Sequence, residues 1–145
     1  MEIVKIRKIF EDSKIPVRAT NESACWDIFA HRIIEDNDTI IVYTGVAMTP
    51  PVGYKIVLVP RSSIVNTNLI QQNSPGQGDR DYTGEYKFVF RKLHGSNVNY
   101  GRSIYNVGDR IGQIYIERVI EIEFKEVDNL EDTERGSGGF GSTGK

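Results

Sequence analysis

Aliphatic and polar residues alternate along most of this chain in short runs. Residues 2–10 set isoleucines against Lys and Arg and predict a first strand, broken by Pro16 and the polar Thr20-Asn21-Glu22-Ser23. The next apolar run, 24–30, encloses one carboxylate, Asp27. Positions 33–34 and 39–44 predict two strands divided by Glu35-Asp36-Asn37-Asp38, and Pro50-Pro51-Val52-Gly53 predicts a turn. The run 54–59 predicts a strand ending at Pro60, and 64–70 reads as one short helix capped by Ser62 or Ser63. Residues 71–78 are polar around Pro75-Gly76 and read as a turn. A strand over 86–93 is turned by His94-Gly95-Ser96-Asn97, and 109–127 is a long β-rich stretch, bent or broken near Glu117-Arg118. No segment sustains a 3.6-residue apolar period, so the pattern predicts an all-β sandwich or jelly roll with at most one short helix.

The pattern stops at residue 127. Residues 128–134 form an acidic linker carrying Asp128, Glu131, Asp132 and Glu134. Residues 135–145 are rich in glycine, with Arg135 and Lys145 at the ends and Phe140 in the middle. Such a segment has almost nothing to bury and reads as a flexible C-terminal tail outside a β domain over 1–127. Gly139, Gly144 and Lys145 match the spacing of a phosphate loop, but that motif needs a strand before it and a helix after it. The motif is therefore rejected.

At 145 residues the chain suffices for one domain with a sizeable core. A net charge of -2 lacks the basic excess of a general nucleic-acid binder, so any anionic ligand must be met by local positive charge. No run approaches a membrane span and the first residues do not resemble a signal peptide. The single cysteine, Cys25, excludes an internal disulfide and fits a cytoplasmic or otherwise intracellular setting.

Four clusters could carry chemistry. Asp27 reads either as a turn aspartate accepting backbone hydrogen bonds or as the carboxylate of a metal-water or phosphate site. Arg61-Ser62-Ser63 after Pro60 is either an oxyanion cradle or a helix cap with a surface arginine. In Asp79-Arg80-Asp81-Tyr82-Thr83-Gly84-Glu85 one carboxylate could act as general base, or the segment could simply close a hairpin. Asn106-Val107-Gly108-Asp109-Arg110-Ile111-Gly112-Gln113 reads in isolation as a turn with a structural ion pair. His31 and His94 lack metal-ligand spacing, so no zinc site is assigned.

Taken in order with the Gly-rich terminus, these clusters resemble the five motifs of the trimeric dUTP pyrophosphatases (dUTPases), over about residues 16–145. The resemblance implies a jelly-roll-like β-clip protomer and a homotrimer with sites at subunit interfaces. It implies Mg²⁺-dependent hydrolysis of dUTP to dUMP and pyrophosphate, which keeps uracil out of DNA and supplies dUMP for thymidylate synthesis. Asp79 matches the general base that activates water, and Asp27 the carboxylate that holds metal-bound waters. Arg61, Ser62, Ser63 and Gln113 match phosphate contacts, and Tyr82 the ring packed on deoxyribose. Asn73 matches a uracil and sugar contact, with backbone groups around Tyr86 and Lys87 reading the uracil edge. The tail becomes a lid over 128–145: Arg135 on the γ-phosphate, Phe140 on uracil, and Gly141, Ser142 and Thr143 around the terminal phosphates.

Some positions depart from the family pattern: Gly78 stands where an aliphatic residue is common, Arg80 replaces a small residue, Cys25-Trp26 precedes Asp27, and Gly112 replaces an alanine. The loop 93–106 is longer than typical. A dCTP deaminase shares the fold and the Arg-Ser-Ser element but needs a glutamate soon after it, and 64–72 contains no acidic residue. A β-trimer that only binds nucleotide or a protein partner is the other alternative.

Overall fold

A computed structural model describes residues 1–93 and 105–142. Ten strands are assigned among them: β1 (Lys5–Lys8), β2 (Trp26–Phe29), β3 (Arg32–Asp36), β4 (Thr39–Tyr43), β5 (Val46–Thr49), β6 (Tyr54–Val59), β7 (Leu69–Gln71), β8 (Gly76–Gly78), β9 (Lys87–Lys92) and β10 (Arg110–Arg118). They form two four-stranded sheets, β2-β10-β6-β8 and β3-β4-β9-β7, and a small β1-β5 pair, all antiparallel. The core lies between the large sheets: Ile28, Ile56 and Ile111 from one meet Ile40, Phe88 and Phe90 from the other, each almost wholly buried. Strand β4 alternates buried and half-buried positions, the period-2 signature of a sheet with one face inward. The all-β prediction is borne out.

The differences from the sequence pattern have local causes. The first strand is only Lys5–Lys8 and is exposed throughout, so its alternating charges lie at the surface beside β5. The expected helix is a single 3-10 turn over Ser62–Asn66, with Arg61 at the N-cap and no side-chain cap. Neither Ser62 nor Ser63 caps it. The β-branched Ile64 and Val65 disfavour propagation, and Leu69–Gln71 is drawn into pairing with β9. The polar stretch around Pro75-Gly76 is strand β8, held by β6 through Leu58↔Gly76 and Ile56↔Gly78. Strand β10 ends at Arg118, and residues 119–127 run on exposed with no strand assigned. The turn expected at His94-Gly95-Ser96-Asn97 and most of the 93–106 loop lie outside the described residues.

Candidate active site

Strand β6 has a different cluster beyond each end. At the Val59 end, β10 lies alongside, with Gln113 opposite Val59 on one side and opposite Asp27 of β2 on the other. Asp27 is the hub of this end. Its Oδ1 accepts hydrogen bonds from Arg61 Nε at 3.1 Å and Gln113 Nε2 at 3.0 Å, and its Oδ2 accepts from Arg110 Nη1 at 3.0 Å. The Asp27 side chain is 2% exposed, whereas Arg61 and Arg110 are 30% and 44% exposed. One buried negative charge therefore holds two cations whose outer faces reach water. The arrangement is a local positive centre on an acidic chain, suited to phosphate oxygens.

Asp27 accepts from three side chains rather than from the backbone of a turn, so the turn-aspartate reading gives way to a carboxylate that organises cations. The structural ion pair expected in 106–113 is made by Arg110, but its partner, Asp27, was not foreseen. Positions 110 and 113 should face opposite sides of a strand, but a register irregularity between Arg110 and Gly112 brings both to Asp27. Ser62 and Ser63, on the 3-10 turn that follows Arg61, are exposed.

At the other end, β8 stops at Gly78 opposite Ile56, and Asp79 follows, exposed. The Asp79 backbone carbonyl accepts the Tyr82 N–H at 3.2 Å, closing a tight turn. Arg61 lies five residues beyond Ile56, roughly 16 Å of extended strand at about 3.3 Å per residue. Within one chain, the candidate base and the cationic cluster are thus separated along β6.

A cavity of about 190 Å³ is lined by Asn73, Tyr82, Tyr86 and Lys87 together with Gln71 and Gly76. Asn73 has a left-handed backbone, φ 49°, a conformation asparagine tolerates better than most residues. Two tyrosines each press on a glycine here. The Tyr82 hydroxyl donates to the Glu85 carbonyl at 2.9 Å, and a Cβ on Gly84 would come within 2.6 Å of that hydroxyl oxygen. Tyr86 packs edge-on against Tyr82, with ring centroids 5.5 Å apart, and a Cβ on Gly78 would lie 2.5 Å from the Tyr86 hydroxyl. Burial, with Tyr82 and then Asp79 close by, pushes the Tyr86 phenol up to about 12, so it stays protonated at neutral pH.

The backbone of Tyr86 is fully engaged. Its N–H donates to the Val46 carbonyl, and its own carbonyl accepts from both the N–H and the hydroxyl of Thr44, at 3.2 and 2.6 Å. Its main chain therefore has no lone pair or proton left for a base edge. The backbone reading expected around Tyr86 and Lys87 is thus left without the Tyr86 main chain. Glu85 adds a further tie missed in the sequence, accepting the Gly45 N–H at 2.8 Å. Gln71 was also missed; it is buried, with its Nε2 donating to the Leu58 carbonyl and its Oε1 unpartnered.

The described residues of the tail, 135–142, do not join either cluster in the single chain. Arg135 Nε donates to the Gly138 carbonyl, and Phe140 is fully exposed with φ 51°. Gly141 and Ser142 are also exposed, and Thr143 lies outside the described residues. No group of three or more His, Cys, Asp or Glu side chains forms an inner-sphere metal cage among the described residues. Asp27, with three of about four acceptor positions used, has room for at most one metal-bound water.

A cationic cluster and a hairpin cavity on an all-β frame define a protein that can handle a phosphorylated base-bearing ligand. The chain belongs to the dUTPase family, whose model matches residues 11–144. It is 35% identical over 144 residues to the deoxyuridine 5'-triphosphate nucleotidohydrolase of Helicobacter pylori (strain Shi470), covering 97% of this chain and 96% of that protein. The same identity holds over 147 residues of the Nautilia profundicola enzyme of that name, covering 98% and 99%. The Staphylococcus bacteriophage 80alpha dUTPase solved with dUPNHPP superimposes with a TM-score of 0.81 at 25% identity, covering 99% of each chain. The chain is accordingly an enzyme, a dUTP diphosphatase.

Proposed function

We propose that the enzyme hydrolyses dUTP to dUMP and pyrophosphate through water activated by Asp79. The single observation that carries this reading is Asp79 itself: an exposed carboxylate directly after β8, close to Tyr86 of the cavity wall and without a hydrogen-bond partner among the described residues. A carboxylate so placed can take a proton from water as the water oxygen attacks the α-phosphorus. The bond from that phosphorus to the bridging oxygen breaks and pyrophosphate leaves. Asn73, Tyr82 and Lys87 would receive the base and sugar, with Ser62, Ser63, Arg61, Arg110 and Gln113 meeting phosphate oxygens.

Magnesium fits as an ion carried by the triphosphate, with Asp27 holding at most one of its waters, and it would neutralise phosphate charge. Arg135, Phe140, Gly141, Ser142 and Thr143 would form a lid that closes on the ligand.

The working unit is a homotrimer with sites shared between copies. Three features support this. The base and the cationic cluster lie at opposite ends of β6 in one chain. Among the described residues of the tail none lines the cavity of its own chain, and Phe140 is fully exposed. Residues 119–127 leave Ile120, Ile122 and Phe124 in solvent at 78%, 71% and 91% exposure, an alternating apolar edge that asks for cover by another copy. An intracellular setting fits these readings, and no helix among the described residues is long and apolar enough to cross a membrane.

The test is pyrophosphate release from dUTP, dTTP, dCTP and UTP with Mg²⁺, alongside sedimentation. Selective release from dUTP by a trimer is expected. Ammonia release from dCTP would instead establish the deaminase.

A further inference from the structure

Tyr86 and Gly78 fit together in a way that bears on the reaction. Gly78 is the last residue of β8 and directly precedes Asp79. It is buried, and its missing side chain is replaced in space by the Tyr86 ring: an added Cβ would lie 2.5 Å from the hydroxyl oxygen, 2.7 Å from Cε1 and 3.0 Å from Cζ. These atoms belong to a side chain that is 3% exposed, on a residue pinned at its backbone by Val46 and Thr44. The ring therefore has no easy way to move aside. Its hydroxyl has no hydrogen-bond partner, so shape rather than a polar bond holds it against the glycine. The edge of the same ring supports Tyr82, three residues past Asp79, whose N–H closes the turn onto the Asp79 carbonyl.

We infer that Tyr86 is a positioning residue: its ring fills the notch at Gly78 and so sets the height of both Asp79 and the Tyr82 ring at the cavity. This rests on Asp79 and Tyr82 acting on dUTP as proposed above. The pair is an exchange of volume, with the bulk moved from the residue before the base onto the facing strand. Either half of the exchange made alone overfills or empties the notch. Both together refill it with different atoms. A shift of about 1 Å in a reacting group can cost on the order of 100-fold in rate.

The experiment is a double-mutant cycle in the full chain with Gly78→Ile, Tyr86→Val and the pair combined. If Gly78→Ile does not fold, Gly78→Ala takes its place, and if Tyr86→Val does not, Tyr86→Leu does. Each single change is expected to lower kcat on dUTP by roughly 10-fold or more, with KM moving by less than about 3-fold. The combined variant should return to within about 3-fold of the parent kcat.

A second readout needs no substrate. In protein labelled with 3-fluorotyrosine, the fluorine line of Tyr82, assigned by Tyr82→Phe, should broaden in each single variant and sharpen in the pair. Single variants that keep parental kcat and a sharp Tyr82 line overturn the inference. So do losses that simply multiply in the combined variant. If the parent releases no pyrophosphate from dUTP, the assignment of the reaction fails, while the fluorine cycle still decides the role of Tyr86.

Discussion

Beyond Val59, Asp27 is held by Arg61, Arg110 and Gln113, with both of its oxygens engaged. Beyond Ile56 on the same strand β6, the turn from Gly78 to Tyr86 is held by rings pressed on glycines, and the Tyr86 hydroxyl is left unpartnered. The first end is fixed by charge and the second by shape. A cluster fixed by charge can present cations to phosphate without rearranging, because the buried carboxylate has already oriented them. A cavity fixed by shape offers a narrow fit to a ring and leaves polar atoms free. The comparison also separates two kinds of fragility: the first end should fail when a charge is removed, the second when a volume is changed.

The sharpest way to break this comparison is at the base. Asp79→Asn removes the proton acceptor while keeping size, and pyrophosphate release should fall by about 100- to 10,000-fold with dUTP still bound. Calorimetric titration of dUTP alongside the turnover assay checks both halves, and full activity would remove Asp79 from the reaction. The tail comes next. Removing residues 135–145 should leave the melting curve of the body unchanged, since Phe140 packs on nothing in its own chain, yet lower turnover by roughly 100-fold as the lid is lost. An unchanged rate would make the tail a frayed end.

Asp27→Ala probes the end held by charge. It strands two guanidinium groups and one amide, and should cost about 2–4 kcal/mol in urea unfolding, below the full cost of a broken buried pair because both arginines reach water. A loss under about 0.5 kcal/mol would show the cluster to be ornamental to the fold. Gly112→Ala tests shape at the core face of β10, where an added Cβ would come within 2.2 Å of Phe88 Cε1. Overpacking of about 1–3 kcal/mol is expected, relieved by Phe88→Leu in the same chain. The glycine in place of the family's usual alanine thereby acquires a physical reason.

What could be read from the chain follows the same division. Features set by neighbours in sequence were legible: the turn that follows Pro60 at Arg61, and the tight turn within the run from Asp79 to Glu85. The strand 54–59 was legible too, because its β-branched run stops at a proline. The convergence on Asp27 was not, since its three donors come from the segment after β6 and from β10, and one of them depends on a strand irregularity. The Gly78–Tyr86 fit was visible only as an unexplained glycine. Strand β7 was hidden because Leu69 and Ile70 continue the apolar run read as a helix, and β8 because Gly-Gln-Gly carries no apolar period. Their pairing is imposed by β9 and β6. The exposed 119–127 stretch was read as part of one long β segment because its alternation is real, although no strand partner for it lies among the described residues.

The smallest effect sharpens the shape-held end through pH. The Tyr86 phenol is raised from the ordinary 10.0 to about 12, first by burial and then by Tyr82 and Asp79. Above pH 10 the unfolded chain can ionise this tyrosine while the folded chain cannot, so the unfolded state binds fewer protons. Stability contributed by the neutral phenol is therefore complete below pH 10 and is lost as pH rises toward about 12, with a slope of up to about 1.4 kcal/mol per pH unit. Tyr86→Phe removes the group and should flatten that part of the alkaline unfolding profile relative to the parent, with no matching change on the acid side. The urea midpoint measured from pH 7 to pH 12 in both proteins decides the matter. Parallel profiles would mean that the hydroxyl reaches water and is not sealed against Gly78.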